Sequence, residues 1–369
     1  MASDNRLVSL DALRGLTIMG MIIVNNPADW SAAYPPLQHA EWIGCTPTDL
    51  VFPFFLFITG FSLFLSTQAR IRKGASRKQL FTHLIKRSGI IFLIGLILNA
   101  FPFNNLPELR IPGVLQRIAL VNMFCGTLLL YGSKKVSMII GSAILVGYWI
   151  LLCFIPSPLS SEPTLAYETN WVAWLDQLVL GKHTWSVMPL MDPEGIISTF
   201  PAVVTGLLGI GAARLFAEKN DKNQKTIILF VTGFILTAAG LAWSSIFPMI
   251  KKMWTSSYVL YTAGLASMTL GLMHYLLDQP GKEKKVRLLL AFGMNPLALY
   301  VGSELLIMII WLLPFFGPEG LTLNTWFFRT LTGTGVSALN ASLIWAVLYL
   351  AIWSLVASFL YKRKIIIKV

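Results

Sequence analysis

Gly15–Val24 reads GLTIMGMIIV, Asn25–Asp49 reads NNPADWSAAYPPLQHAEWIGCTPTD, and Leu50–Leu65 reads LVFPFFLFITGFSLFL. Two apolar blocks bracket one polar loop. The blocks are apolar all round rather than striped at helical spacing, which indicates spans rather than surface helices. The loop holds one histidine, His39, with Asp29, Glu41 and Trp42 close by in the chain. An imidazole tethered between two spans puts acid–base or nucleophilic chemistry at a membrane surface. Prolines and tryptophans stiffen this loop, so it is expected to be positioned rather than mobile.

The rest of the 369 residues repeats the pattern: 55% are hydrophobic and only 12% charged, with mean hydropathy +0.68. A soluble domain carries about twice that charged fraction. Ten apolar segments are read near 10–25, 49–68, 88–103, 113–131, 137–155, 196–216, 226–247, 256–277, 287–313 and 339–360, each close to the roughly 20 residues a span needs. Alternating strands of a closed barrel are not seen. The fold class expected is therefore all-α: a polytopic membrane helical bundle forming one domain over 1–369. No soluble domain or internal repeat interrupts it. Three cysteines, Cys45, Cys125 and Cys153, fit neither a disulfide framework nor a zinc motif, and no metal is expected.

The net charge of +12 is explained by its distribution, not by nucleic acid. Of the 29 Lys and Arg residues, 22 fall in alternate segments, among them Arg6, the run Arg70–Arg87, and the tail through Lys368. Five lie in the opposite loops: Arg110, Lys182, Lys251, Lys252 and Arg329. That bias places both termini in the cytoplasm and loops 26–48 and 156–199 outside. Within the second loop, WVAWLDQLVLG (Trp171–Gly181) reads as an interfacial amphipathic helix, and Asp192-Pro193-Glu194-Gly195 as a turn entering the sixth span.

Polar residues inside spans are costly and are usually functional or paired. Asp11 and Arg14 share one helix face, as an ion pair or as an anion site. Gln116 and Arg117 open the fourth span, snorkelling or lining a polar cavity. Asn25 closes the first span. Asn295-Pro296 breaks the ninth, with Ser303 and Glu304 beyond, and a broken helix at membrane depth needs protein or a cavity around it. Asp49 reads equally as a helix cap and as a catalytic carboxylate. Asp192 and Glu194 read as turn formers or as binders of a cationic substrate.

Several of these stretches together resemble the heparan-α-glucosaminide N-acetyltransferase family. The resemblance is carried by RLVSLDALRGLTIMGMIIVNN (Arg6–Asn26), QHAEWIGCTPTDLVFPFFLFITG (Gln38–Gly60), IPGVLQRIA (Ile111–Ala119), DPEG, KKMWTSSYVLY (Lys251–Tyr261) and GMNPLALYVGSE (Gly293–Glu304). It implies a transmembrane acetyltransferase that takes the acetyl group of cytoplasmic acetyl-CoA to a glucosamine-type amine outside. The family's active histidine falls on His39, in His39-Ala40-Glu41-Trp42-Ile43-Gly44, and its asparagine on Asn25. Beside these, Asp49 is expected in catalysis, Arg14, Gln116, Arg117 and Asn295 in holding acetyl-CoA, and Glu41, Trp42, Asp192 and Glu194 in holding the acceptor. Pro27, Pro35 and Pro36 stand where the lysosomal member is glycine-rich, so heparan specificity does not carry over.

Two other functions stay open at this point. A secondary transporter suits a broken ninth helix, although no inverted repeat is evident. An O-acyltransferase on a cell-envelope glycan would use the same architecture. Expected partners are acetyl-CoA, an extracytoplasmic amino sugar or glycan, the lipid bilayer and, as an open option, a second copy in a homodimer; nucleic acid is not among them. The expected location is a bacterial cytoplasmic (inner) membrane.

Overall fold

The computed structural model describes residues 7–103, 105–279, 281–316 and 320–367. Arg6 and Lys368, counted in the charge pattern, lie outside the described residues. The elements run α1 (Val8–Asn25), α2 (Pro47–Arg72), α3 (Arg77–Ala100), α4 (Val114–Tyr131), α5 (Lys134–Phe154), α6 (Trp171–Val179), α7 (Ile196–Ala217), α8 (Lys222–Ser244), α9 (Ser256–Leu277), α10 (Arg287–Met294), α11 (Pro296–Leu312), β1 (Pro314–Phe316), β2 (Leu321–Thr322), α12 (Leu323–Gly333) and α13 (Ala338–Lys362). Among the described residues, nine helices are long and apolar enough to cross a membrane. A tenth span is formed if the pair broken at Asn295 is counted as one; its halves are bent by 70°. The chain is an all-α, polytopic membrane fold, and each of the ten segments read from the sequence falls on one of these spans.

The chain packs as two compact units. The first takes the described residues of Met1–Ala40, Thr46–Phe52 and Met273–Lys368; the second takes Glu41–Cys45 and Pro53–Leu272.

In the first unit, α1 packs on α10, and α13 packs on both. The α1–α10 crossing brings backbone against backbone. A Cβ at Gly15 would lie 1.9 Å from the carbonyl oxygen of Leu289, and one at Gly293 would lie 1.9 Å from that of Asp11. Small residues allow such an approach where lipid offers no hydrophobic drive to helix pairing. Helix α1 has no side-chain cap of its own. Asp278 supplies one, its Oδ1 accepting from Val8 N (2.7 Å) and Ser9 N (3.2 Å), which also sets a carboxylate at the positive end of the helix.

In the second unit, α4 packs on α3 and α7, and α7 also packs on α5, α6 and α8. Gly60 and Gly209 let α2 and α7 touch: their Cβ atoms would lie 2.0 Å from Gly206 O and 2.1 Å from Phe57 O. Sequence-encoded caps start the helices: Ser76 with Gln79 in a capping box for α3, Ser133 for α5, Asn170 for α6 and Asp221 for α8.

Candidate active site

The first unit holds the histidine loop. After α1 the chain is pinned from several sides. Asn26 Nδ2 donates to Ile22 O (2.7 Å), Asn324 Nδ2 of α12 to Ala28 O (3.2 Å), and Tyr34 Oη to Asn340 Oδ1 of α13 (2.6 Å). Asp29 exchanges longer backbone contacts with Ser342 Oγ. A single helical turn at Pro35–Leu37 follows, and Thr48 Oγ1 donates to Pro36 O (3.0 Å). The loop is thus built against helix ends, as its composition suggests.

This scaffold delivers His39 to Asp49. Nδ1 of His39 lies 2.7 Å from Asp49 Oδ1. The ring is 41% exposed and the carboxylate 0%. The second oxygen, Oδ2, accepts from Ala40 N (3.1 Å), Thr46 N (3.0 Å) and Thr46 Oγ1 (3.0 Å). Asp49 stands in the first turn of α2, and its contact with Thr46 N is the reciprocal arm of a capping box. One carboxylate oxygen thus caps the helix, as one sequence reading of Asp49 has it, and the other holds the imidazole. A carboxylate accepts only, so this contact assigns the proton to Nδ1 and the basic lone pair to Nε2.

The other candidates of this unit take separate positions. Asn25 Nδ2 donates to Glu304 Oε1 of α11 (3.1 Å). Arg14 NH1 donates to Asp11 Oδ1 (2.8 Å) and reaches Gly293 O (3.4 Å). Asn295, at the break, grips the chain after α13: Nδ2 donates to Ile365 O (2.9 Å) and Oδ1 accepts from Ile367 N (2.8 Å).

The unit boundary falls inside the histidine motif, after Ala40. Residues Glu41–Cys45 are fixed to the second unit. Gly44 N donates to Met249 O (2.8 Å), Lys252 Nζ to Glu41 O (2.7 Å), and Trp42 Nε1 to Leu165 O (3.1 Å). Trp42 also packs edge-on against Tyr167 and under the Lys252 ammonium.

The second unit joins two candidate sets that the sequence kept apart. Arg110 forks onto Asp192 through Nε (2.8 Å) and NH2 (2.7 Å), and NH2 also reaches Glu194 Oε2 (2.6 Å). Burial works against the Arg110 charge, but the hydrogen bonds and charges of Asp192 and Glu194 outweigh it and hold the guanidinium above its ordinary value. Asp192, wholly buried, also accepts from Trp185 N and Glu194 N. Its own N–H donates to Asp176 Oδ2 (3.0 Å), while Ile196 N donates to Asp176 Oδ1 (3.0 Å). A Cβ at Gly195 would sit 2.1 Å from Asp176 Oδ2, so this close approach requires glycine.

Arg117 meets the same turn from α4. Its NH2 donates to Gly195 O (3.3 Å) and to Ser198 Oγ, and the guanidinium lies 5.0 Å from the Trp254 ring centroid. Trp254 is fully buried with φ 57° and ψ 47°, a left-handed conformation that is rare for an aromatic residue and concentrates at functional sites. Among the described residues, no protein group accepts from the buried Arg117 Nε and NH1 or Gln116 Nε2, and buried donors of this kind call for an explanation.

Sequence reasoning missed Arg110, Asp176 and Glu304 as participants. Arg110 was visible only as an outer-loop cation, and Glu304 only as a polar residue beyond the break. Asp176 was hidden in an apolar run: α6 buries it on the same face as Val172 and Ala173 and leaves Leu178 and Val179 exposed. Burial pushes the Asp176 carboxyl up to about 6, against the two backbone N–H groups that favour the anion. The folded value lies above the unfolded one, so this group's contribution to stability grows as pH falls from about 6 toward 4. A carboxyl infrared band titrating near pH 6, and lost in Asp176→Asn, is the expected signature; a midpoint near 4 would contradict it. Among the described residues, no group of three or more His, Cys, Asp and Glu side chains is placed to hold a metal ion.

Spans that carry a loop-borne histidine–aspartate pair define an integral membrane protein equipped for acid–base chemistry. Comparison with known proteins narrows this class. The family model for the catalytic region of heparan-alpha-glucosaminide N-acetyltransferase matches residues 6–245, and the chain belongs to that family. It is 26% identical over 423 residues to the mouse protein named heparan-alpha-glucosaminide N-acetyltransferase, and 27% identical over 354 residues to the human protein of that name. These alignments cover 100% and 81% of this chain but 61% and 53% of the relatives, so the chain spans little more than half their length.

Proposed function

We propose that the chain is a transmembrane acetyltransferase. It moves the acetyl group of cytoplasmic acetyl-CoA to an amine on an extracytoplasmic amino sugar. The observation that carries this reading is the His39–Asp49 pair. An amino sugar attacks only as the neutral amine, and a basic Nε2 either removes a proton as the tetrahedral intermediate forms or carries the acetyl group itself. Asp49 orients the ring and stabilises it when protonated, the role a buried carboxylate plays behind a catalytic histidine. Asn25, already oriented by Glu304, is assigned to the developing oxyanion.

The charge bias supports the orientation: cytoplasmic termini, with loops 26–48 and 156–199 outside. Arg14, Gln116, Arg117 and Asn295 are assigned to the donor, and Glu41, Trp42, Asp192 and Glu194 to the acceptor. The Arg110 contacts give the last two a positioning role as well. The names of the relatives support acetyl transfer to an amino-sugar acceptor without fixing which glycan this chain uses, and its long apolar helices support a lipid-bilayer setting.

The bend at Asn295 favours a second reading, a transporter, because broken spans build substrate sites at membrane depth. One experiment separates the two. CoA release from acetyl-CoA is followed with purified protein in detergent, with and without glucosamine. Glucosamine-stimulated release is expected. Absence of both release and acetyl-CoA binding in folded protein, with sugar uptake into liposomes that lack CoA, would establish transport instead.

A further inference from the structure

Glu304 is an acid inside a membrane span. It stands midway along α11, past the break at Asn295-Pro296, and is half-buried. A carboxyl at that depth is costly and is kept where it has a partner or a task. Among the described residues, its hydrogen bond is the one from Asn25 Nδ2 at 3.1 Å, and an amide is a neutral partner. Helices α1, α10, α12 and α13 pack on α11 and carry Arg14, Arg287, Arg329 and Lys362. Among the described residues, no ion pair joins any of these cations to Glu304. The titratable group on these helices that acts electrostatically with Glu304 is Tyr349 of α13, and its Oη is committed to Ser303 O (2.6 Å).

The pair lies where the reaction is expected. Asn25 ends α1 at the start of the histidine loop, and Asn25, His39, Asp49 and Glu304 all belong to the first unit. The bond from Asn25 occupies Oε1, and an ionised carboxylate accepts on both oxygens. A carboxylate held in a span without a cation is stabilised by a cation that arrives. The acceptor of the acetyl group is such a cation. Its amine, with an ordinary value of about 8 on the α-amino scale, is mainly ammonium at neutral pH. It attacks only after losing one proton and loses a second on acylation, and His39 accounts for one of the two.

We propose that Glu304 is the subsite for the acceptor's ammonium group and its first proton acceptor, an assignment that rests on the acetyl-transfer reading. The carboxylate pairs with the ammonium. One N–H bond breaks, an O–H bond forms on Glu304, and the nitrogen keeps the electron pair as a neutral amine. In direct attack on acetyl-CoA, the C–N bond then forms, and His39 takes the second proton and gives it to the departing thiolate as the C–S bond breaks. Glu304 yields its proton to water after the product leaves, so an ammonium and acetyl-CoA give an amide, the CoA thiol and one proton.

The test compares kcat/KM for glucosamine in CoA release by the full chain in detergent, for wild type, E304Q and E304D, from about pH 6 to about pH 9.5, across the titration of the amine. Glutamine keeps the shape and its oxygen still accepts from Asn25, so E304Q removes the charge alone. The expected loss in E304Q is about tenfold or more at about pH 6.5, the scale of one charge-assisted bond, and closes to within about threefold at about pH 9.5, where the acceptor arrives neutral. His39 and Asp49 titrate in both proteins, so the ratio of the two cancels them. E304D keeps the charge and is expected to keep most of the rate at low pH. If E304Q does not fold, E304M carries the same readout: an apolar residue suits a span, and its lost bond to Asn25 adds a factor that does not vary with pH.

A loss that shrinks as pH rises supports the ammonium subsite. A loss that stays constant with pH makes Glu304 a support for Asn25 alone and overturns the proposal, and so does full activity at every pH; both spare the acetyl-transfer reading, because the wild type is then active. Wild type without glucosamine-stimulated release overturns that reading and this assignment with it.

Discussion

His39→Ala is expected to reduce glucosamine-stimulated CoA release by about 10²–10⁴-fold, the usual contribution of a positioned general base, with the protein still folded. The ring is partly exposed and is held by Asp49, so its removal opens no large void. Asp49→Asn is expected to lose about 10²-fold or more, because an amide either donates toward Nδ1 or turns its oxygen to it and disturbs the capping contacts. A purely structural Asp49 would give a different pattern. Thr46→Ala removes a hydroxyl contact to Asp49 Oδ2 but leaves the His39 bond in place. It should cost about 1 kcal/mol of stability and little rate. The measurements are initial rates of CoA release and thermal unfolding midpoints for the three variants. Full activity in His39→Ala would remove this histidine from the reaction. Equal losses in Asp49→Asn and Thr46→Ala would reduce the aspartate to a cap.

Arg110→Met is expected to destabilise the second unit by about 3–5 kcal/mol, the cost of leaving a buried charge without its partner. Asp192 is fully buried and receives two guanidinium hydrogen bonds, and Glu194 receives a third. Two backbone N–H groups remain on Asp192 after the substitution and replace part of the lost solvation only. The double variant Arg110→Met/Asp192→Asn is expected to recover part of the loss, since the unpaired charge is gone. Unfolding midpoints in detergent, analysed as a double-mutant cycle, measure the coupling. Additive effects would show that the fork contributes little, as exposed ion pairs do.

Apolar blocks made the spans legible, because burial and lipid both demand them. The break at Asn295-Pro296 was legible too, since proline cannot donate and clashes with the preceding turn. His39 stood out as the histidine in a short tethered loop. The region after 313 shows where the signal ends. No segment is read there before 339, yet it holds the antiparallel pair β1–β2 and α12. LNTWFFRTLTG is short and mixed, and its helix is decided by packing on α13 and by the bond from Asn324 to Ala28 O. Long-range pairing was hidden for the same reason. Arg110 and Asp192 are 82 residues apart, Asn25 and Glu304 are 279 apart, and no local pattern announces either.

The grip of Asn295 on the chain after α13 makes the bent span addressable from its surface. Ile366 lies between the two gripped backbone groups and is 52% exposed. A spin label or fluorophore on a cysteine at that position is coupled to the kink through two hydrogen bonds. It reports straightening of the span without a probe being placed inside the membrane, and it distinguishes a span that flexes during turnover from one that is permanently folded.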